Sequence, residues 1–232
     1  MSKQNILVLG ATGASGLAFI KESLTHPTSP TLTLLIRTPS KLPKEYQDHP
    51  SITIITGQLD DPVALKSSLQ NGITTVVSFL GAYISLSAFL YRTRETPIAD
   101  SLPILFNAMR ESDVRRILAL STPHALPQPQ DVTSWAWWRY GLIVDFVAPQ
   151  GNAEMKGIGE RVSELGEEME WTVFRVPHLN DGSAEEEVEA GFLGEGFGGS
   201  MELSRASLAR WVLGEIGEGR WVGKAPVVGN RA

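Results

Sequence analysis

The chain contains no cysteine, which removes disulfides, thiolate-held metals and thiol nucleophiles from its chemistry. Its four histidines, His26, His49, His124 and His178, are scattered and show none of the spacings by which imidazoles share a metal, so no metal is expected. No stretch reaches the roughly 18 consecutive apolar residues of a membrane-spanning helix. The opening MSKQN lacks the basic and apolar regions of a signal peptide. A soluble, cytoplasmic protein with no membrane partner is the expectation. Excess positive charge is missing as well: 26 acidic side chains against 20 basic ones give a net charge of −6. Nucleic acid and anionic membrane both reward a basic face, so neither is expected as a partner. A small molecule is left as the natural ligand.

With 232 residues and 42% hydrophobic content, the chain can build one sizeable core. Apolar runs of strand length recur at Ile6–Leu9, Leu32–Ile36, Ile52–Thr56, Thr75–Leu80, Arg116–Leu120 and Trp171–Val176. Segments of helical periodicity lie between or after them, at Ser15–Leu24, Pro62–Gln70, Thr96–Ser112, Asn152–Glu168 and Ser204–Ile216. Asp61 before Pro62, and Ser204 before RASLARWVLGEI, are helix-start signals. This alternation predicts βαβ units: an α/β fold with a doubly wound parallel sheet covered by helices on both faces. Two segments break the rhythm, 82–95 and 122–150, and read as irregular insertions where binding loops sit. The acidic run Glu185–Glu189 and the glycine-rich piece Gly191–Gly199 read as a solvated loop. No internal repeat is present.

The first strand runs directly into three glycines, in NILVLGATGASG. A strand that turns sharply into a helix at glycines leaves unpaired N–H groups and the positive end of the helix dipole beside the turn, and such a turn attracts phosphate. Gly10 permits the tight turn, Gly13 lets a pyrophosphate approach the backbone and Gly16 allows helix to pack on strand. Thr12 and Ser15 add hydroxyls, with Ala14 in the same turn. The end of the second strand then faces the adenosine ribose, where an acid suits NAD and an arginine suits the 2′-phosphate of NADP. The sequence there is LLIRTPSKL, with Arg37 at the strand end and Lys41 one turn on, which favours NADP(H).

The blocks VLGATGASG, IRTPSKL, GQLDDPVAL, VVSFLGA, VRRILALSTP and EWTVFRVPHL together resemble the atypical short-chain dehydrogenase/reductase family, in its NmrA-like, NAD(P)-binding branch. The resemblance covers nearly the whole chain in order. It implies one Rossmann-like domain over 1–232, with substrate-lobe insertions near 82–95, 122–150 and 178–203 and a small C-terminal lobe. It implies adenine near Gln58 and Leu59, and the nicotinamide side near Phe79, Leu80, Gly81, Ser121, Pro177 and His178. Members of the branch include small reductases of carbonyl, quinone or tetrapyrrole-like compounds, and redox sensors that bind the dinucleotide without turning it over.

Carbonyl reduction needs a hydride from the nicotinamide and a proton for the oxygen. The family supplies the proton from a tyrosine in Tyr-x-x-x-Lys, with a serine orienting the substrate. By the resemblance Ser121 is that serine, and Lys156, paired with Glu160 in a Lys-x-x-x-Glu pattern, is the lysine that holds the nicotinamide ribose. Four residues before Lys156 stands Asn152, which can donate a hydrogen bond but no proton. Solvent or substrate supplies the proton, or another acid does, with Tyr140, Tyr83 and His178 as the candidates; otherwise no redox chemistry occurs. The aromatic piece SWAWWRYGLIVDF offers Trp135, Trp137, Trp138 and Tyr140 as a wall for an aromatic or conjugated substrate. Burial of Trp135 and Trp138 against the main core, or against another subunit, fits them equally. Leu86, Phe89, Leu90 and Tyr91 could form the opposite wall, with Arg92 and Arg94 for an acidic group. Three functions follow: an NADPH-dependent reductase, a dinucleotide-sensing regulator, and a non-redox isomerase, cyclase or lyase that keeps NADP as scaffold. Oligomeric state is left open.

Overall fold

The computed structural model describes residues 4–81, 95–132, 134–194 and 197–231, and excludes the side chains of 136, 140, 143, 144 and 147. The insertion at 82–94, with the second aromatic wall and Tyr83, lies outside the described residues.

Six strands form from the apolar runs: β1 (Asn5–Leu9), β2 (Thr31–Ile36), β3 (Ile52–Thr56), β4 (Thr75–Ser78), β5 (Arg116–Ser121) and β6 (Glu170–Arg175). Four short ones follow in the last third of the chain: β7 (His178–Asn180), β8 (Val188–Gly191), β9 (Glu202–Ser204) and β10 (Val227–Asn230). The main sheet runs β3-β2-β1-β4-β5-β6-β10-β8, with β7 and β9 paired in a separate ribbon. All pairs are parallel except β10 with β8. In the centre Val8 lies beside Leu34 on one side and Val77 on the other, so helices must cover both faces.

The helices are α1 (Ala14–Thr25), α2 (Lys44–Gln47), α3 (Pro62–Ser68), α4 (Pro97–Glu111), α5 (Trp135–Val147), α6 (Pro149–Ser163) and α7 (Arg205–Glu218). Both expected caps form: Asp61 accepts from the Val63 and Ala64 amides, and Ser204 accepts from the Ser207 amide. Pro62, Pro97 and Pro149 open their helices at positions where no amide is missed. Helix α7 ends at Gly219, in the left-handed region at φ 62°. On one face α1 packs along α7; on the other α3 packs on α4 and α4 on α6. The core is the sheet's own apolar side chains with Phe19, Ile20, Leu105, Met109, Ile158, Leu208 and Val212 from these helices.

Three sequence expectations need correction. The stretch 122–150, read as irregular, contains α5, because its apolar and aromatic residues sustain a helix once Trp137 is buried against Leu193 and Val227. The segment Glu185–Glu189 with Gly191 is not simply a solvated loop: 188–191 form the edge strand β8, whose charged neighbours suit an edge position. Trp135 and Trp138 do not pack on the main core. Their rings stack at 4.7 Å on the outer face of α5, with the residues 68% and 47% exposed.

Two buried ion pairs tie the C-terminal third to the sheet. Arg116 Nη2 meets Glu215 Oε1 at 2.9 Å, and that carboxylate also accepts from the Arg220 and Trp221 amides. Arg175 is wholly buried and donates to Asp131 at 2.7 and 3.0 Å, and to the Ala225 and Pro123 carbonyls. Asp131 also accepts from the Gln128 and Leu193 amides, so one carboxylate joins the loop after β5 to β6 and to the loop after β8.

Candidate functional site

The C-terminal ends of β1, β2, β3 and β4 open into one cleft of about 660 Å³. Its floor is the glycine turn, Gly10 to Ser15, followed on one side by Ile36 and Arg37 and then by Gly57, Gln58, Leu59 and Asp60. Phe79, Leu80 and Gly81 line the other side, with Pro97, Ile98 and Ser101 of α4, Gln150 and Glu154 of α6, and Arg205 of α7.

The turn is built so that only glycine fits at two places. Gly10 has φ +76°, and a Cβ there would stand 2.8 Å from the Phe79 carbonyl carbon. A Cβ on Gly16 would press into the Gly10 carbonyl oxygen and come within 2.7 Å of Ala11 Cα. Close contact of α1 with the turn therefore depends on Gly16, and the first turn of α1 is brought to the cleft floor. Gly13 caps that helix with no side-chain hydrogen bond to its first amides, which leaves them for an anion. These features fit a dinucleotide pyrophosphate. Arg37 is exposed at the end of β2, and among the described residues no carboxylate pairs with it.

Of the residues expected to bind cofactor, Gly10, Thr12, Gly13, Ala14, Ser15, Arg37, Gln58, Leu59, Phe79, Leu80 and Gly81 line this cleft together. Gly16 lies beneath it, against Gly10 and Ala11. Lys41 sits in the turn Pro39–Lys41 and is exposed; Lys41, Pro177 and Lys156 are outside the lining.

The expected catalytic residues are dispersed. Ser121 is wholly buried, and its hydroxyl donates to the Met155 carbonyl of α6 at 2.7 Å. Lys156 Nζ lies 3.7 Å from Asp145 of α5, and Asn152, also buried, donates to the same carboxylate. His178 is exposed on β7, its Nδ1 2.8 Å from Glu202 Oε2. Partnership with His178 holds the Glu202 carboxyl below the usual carboxylate range. Tyr140 lies on α5, and its side chain is outside the described residues.

Five polar residues of the lining were not anticipated: Asp60, Ser101, Gln150, Glu154 and Arg205. Glu154 is buried, and its Oε1 accepts from the Ala99 amide at 2.7 Å, capping α4 from another helix. Burial pushes its pKa up, against the pull of the Ala99 and Ile98 amides. Gln150 precedes it by one helical turn on the same face. Arg205 opens α7 and pairs with Asp181 at 2.7 Å. The Ser204 start signal placed Arg205 on the first turn of a helix, but nothing local told which helix would lie beside it.

The model of the NAD(P)H-binding family matches residues 10–218. A search of the curated proteins finds no match to the chain. Among solved structures, a short-chain dehydrogenase/reductase of Veillonella parvula DSM 2008 in complex with NADP superposes with a TM-score of 0.72 at 19% identity, over 99% of this chain and 95% of that one. An anaerobillin reductase from Escherichia coli O157:H7 gives 0.70 at 13% identity, over 98% and 97%. A Rossmann-fold NAD(P)-binding family protein from Shigella flexneri gives 0.67 at 22% identity, over 99% and 94%. At such identities the likeness is one of fold.

Proposed function

The chain belongs to the NAD(P)H-binding family, and we propose that within it this protein is an NADPH-dependent oxidoreductase reducing a small conjugated carbonyl or quinone-like compound. The observation that carries the reading is the intact cleft, in which the glycine turn and an unpaired Arg37 lie along one line of strand ends. The bound dinucleotide would supply a hydride. Gly10 to Ser15 would hold its pyrophosphate through backbone amides, and Arg37 the 2′-phosphate. Gln58 and Leu59 would flank adenine, and Phe79, Leu80 and Gly81 the nicotinamide side.

Proton delivery sets the substrate class. Asn152 stands in the place of the family's tyrosine and is spent on Asp145, and among the described residues no tyrosine lines the cleft. A substrate whose reduced anion is delocalised can take its proton from water, which favours quinones and conjugated ketones over simple aldehydes. Ser121 in this reading supports α6 rather than the reacting oxygen. The similar fold of an anaerobillin reductase supports a reductase reading.

A calorimetric titration with NADPH, NADP+, NADH and NAD+, repeated on Arg37→Ala, tests the cofactor half. Tight binding of the phosphorylated pair, lost with Arg37, is expected. An NADPH-oxidation screen over quinones, conjugated ketones and aldehydes tests the rest. Binding without turnover of any compound would favour the second reading, a dinucleotide sensor, for which the commitment of both Asn152 and Lys156 to Asp145 speaks.

A further inference from the structure

We propose that Arg205 is a second cation for the dinucleotide, clamping its pyrophosphate from helix α7 and leaving Asp181 to do so. The proposal rests on dinucleotide binding in the cleft and adds a contact from the far end of the chain.

Arg205 lines the same cleft as Gly13, Ala14 and Ser15. Its position relative to the turn follows from helix packing. Arg210 Nε of α7 meets Glu22 Oε2 of α1 at 2.8 Å, which fixes the register of the two helices. Near the other end of α7, Gly217 lies beside Gln4, just before β1, so α7 and α1 run in the same direction. Five residues back from the Arg210–Glu22 pair, about 7.5 Å along both axes, Arg205 stands level with Leu17. A helical side chain leans toward its own N-terminus, and for Arg205 that direction is the first turn of α1. The guanidinium and the amides of the glycine turn thus face one cleft, where a pyrophosphate would reach both.

Its present partner is a weak competitor. Asp181 is 88% exposed in the side chain, on the loop after β7, and contributes one contact at 2.7 Å. With Arg205 at 23% and Asp181 at 88% exposure, the carboxylate gives up little by returning to water, whereas a guanidinium on phosphate gains charge-assisted, two-pronged hydrogen bonds. Exchange of Asp181 for phosphate therefore runs downhill. Arg37 and Arg205 divide the ligand between them: Arg37 reads the 2′-phosphate and distinguishes NADP from NAD, while Arg205 sees the pyrophosphate common to both.

The test is calorimetric, on the whole chain, with NADP+ and NAD+ as probes and Arg205→Gln, Arg37→Ala and Asp181→Asn as variants. Arg205→Gln is expected to weaken both dinucleotides by the same factor, roughly tenfold or more, and Arg37→Ala to weaken NADP+ alone. Asp181→Asn, which keeps Arg205 and removes its competitor, is expected to tighten both by up to about fivefold. Unchanged dissociation constants in Arg205→Gln, with wild type binding normally, would overturn the clamp and leave Arg205 as the partner of Asp181 or of a substrate anion. Loosened or unchanged binding in Asp181→Asn would overturn the exchange. Failure of wild type to bind either dinucleotide would be a failure of the cofactor reading itself.

Discussion

Replacing Asp131 by asparagine preserves shape and removes one charge, and it should be strongly destabilising. Asp131 answers a guanidinium that is fully buried and that, among the described residues, has the Ala225 and Pro123 carbonyls as its other partners. Asparagine keeps one acceptor oxygen but leaves the cation uncompensated, and breaking a buried pair in this way costs about 3–5 kcal/mol. For a domain of this length each kcal/mol lowers Tm by about 2–4 °C, so a fall of roughly 6–20 °C is expected by circular dichroism at neutral pH. The pH dependence gives a second reading. Burial raises the Asp131 pKa, but the Arg175 hydrogen bonds and the Gln128 and Leu193 amides outweigh it, and the net value lies below the usual carboxylate range. The pair's stabilisation is thus present above the unfolded pKa and is lost as pH falls through the lowered one. The gap between wild type and Asp131→Asn should close on acidification. A Tm of Asp131→Asn within about 3 °C of wild type, or a gap that is the same in acid, would refute the reasoning.

Gly16→Ala should cost about 1–3 kcal/mol and abolish the thermal shift that NADP+ gives wild type; a variant that melts normally and keeps that shift would show that the turn can give way. Ser121→Ala should lower stability by about 1 kcal/mol through loss of the Met155 bond while NADPH oxidation persists; a kcat lower by about a hundredfold at unchanged KM would instead put its hydroxyl on the reacting oxygen. Glu154→Gln should flatten the pH dependence of stability. A carboxyl whose folded pKa is raised loses stability as pH rises from the unfolded value to the folded one, and glutamine can still accept from Ala99. Melting curves from pH ~4 to ~8 would show the change, and an unaltered slope would mean that another group carries it.

The parts of the molecule that were legible in the sequence are those whose cause is local. Six parallel strands announce themselves because residues such as Val8, Val76 and Ile117, buried among neighbours on both faces, must be apolar without alternation. The glycine turn is legible because φ and close approach are properties of single residues, Gly10 and Gly16. The strands of the last third, β7 to β10, are three or four residues long, and what makes Val188–Gly191 a strand is Val227–Asn230, many residues later. The part of the cleft at the ends of β1, β2 and β3 follows strand order; its far wall is set by which helices become neighbours. Glu154 faces the cleft because α6 packs on α4, and Arg205 because α7 packs on α1. Family resemblance gave Ser121 and Lys156 their expected roles, and neither Met155 nor Asp145, which hold them here, could be predicted from spacing.

The order β6-β10-β8 also bears on how the chain is made. Residues 188–191 leave the ribosome before 227–230, yet they pair with the main sheet through them. Until the later segment has been synthesised, β6 presents a bare parallel edge, and β8 has no strand to join. The sheet is thus finished from the inside by one of its last-made strands, whose Val227 and Val228 are wholly buried. A nascent chain halted short of Val227 would display an adhesive edge at β6. Synthesis of 227–230, rather than the early formation of the glycine turn, is then the step that covers this edge.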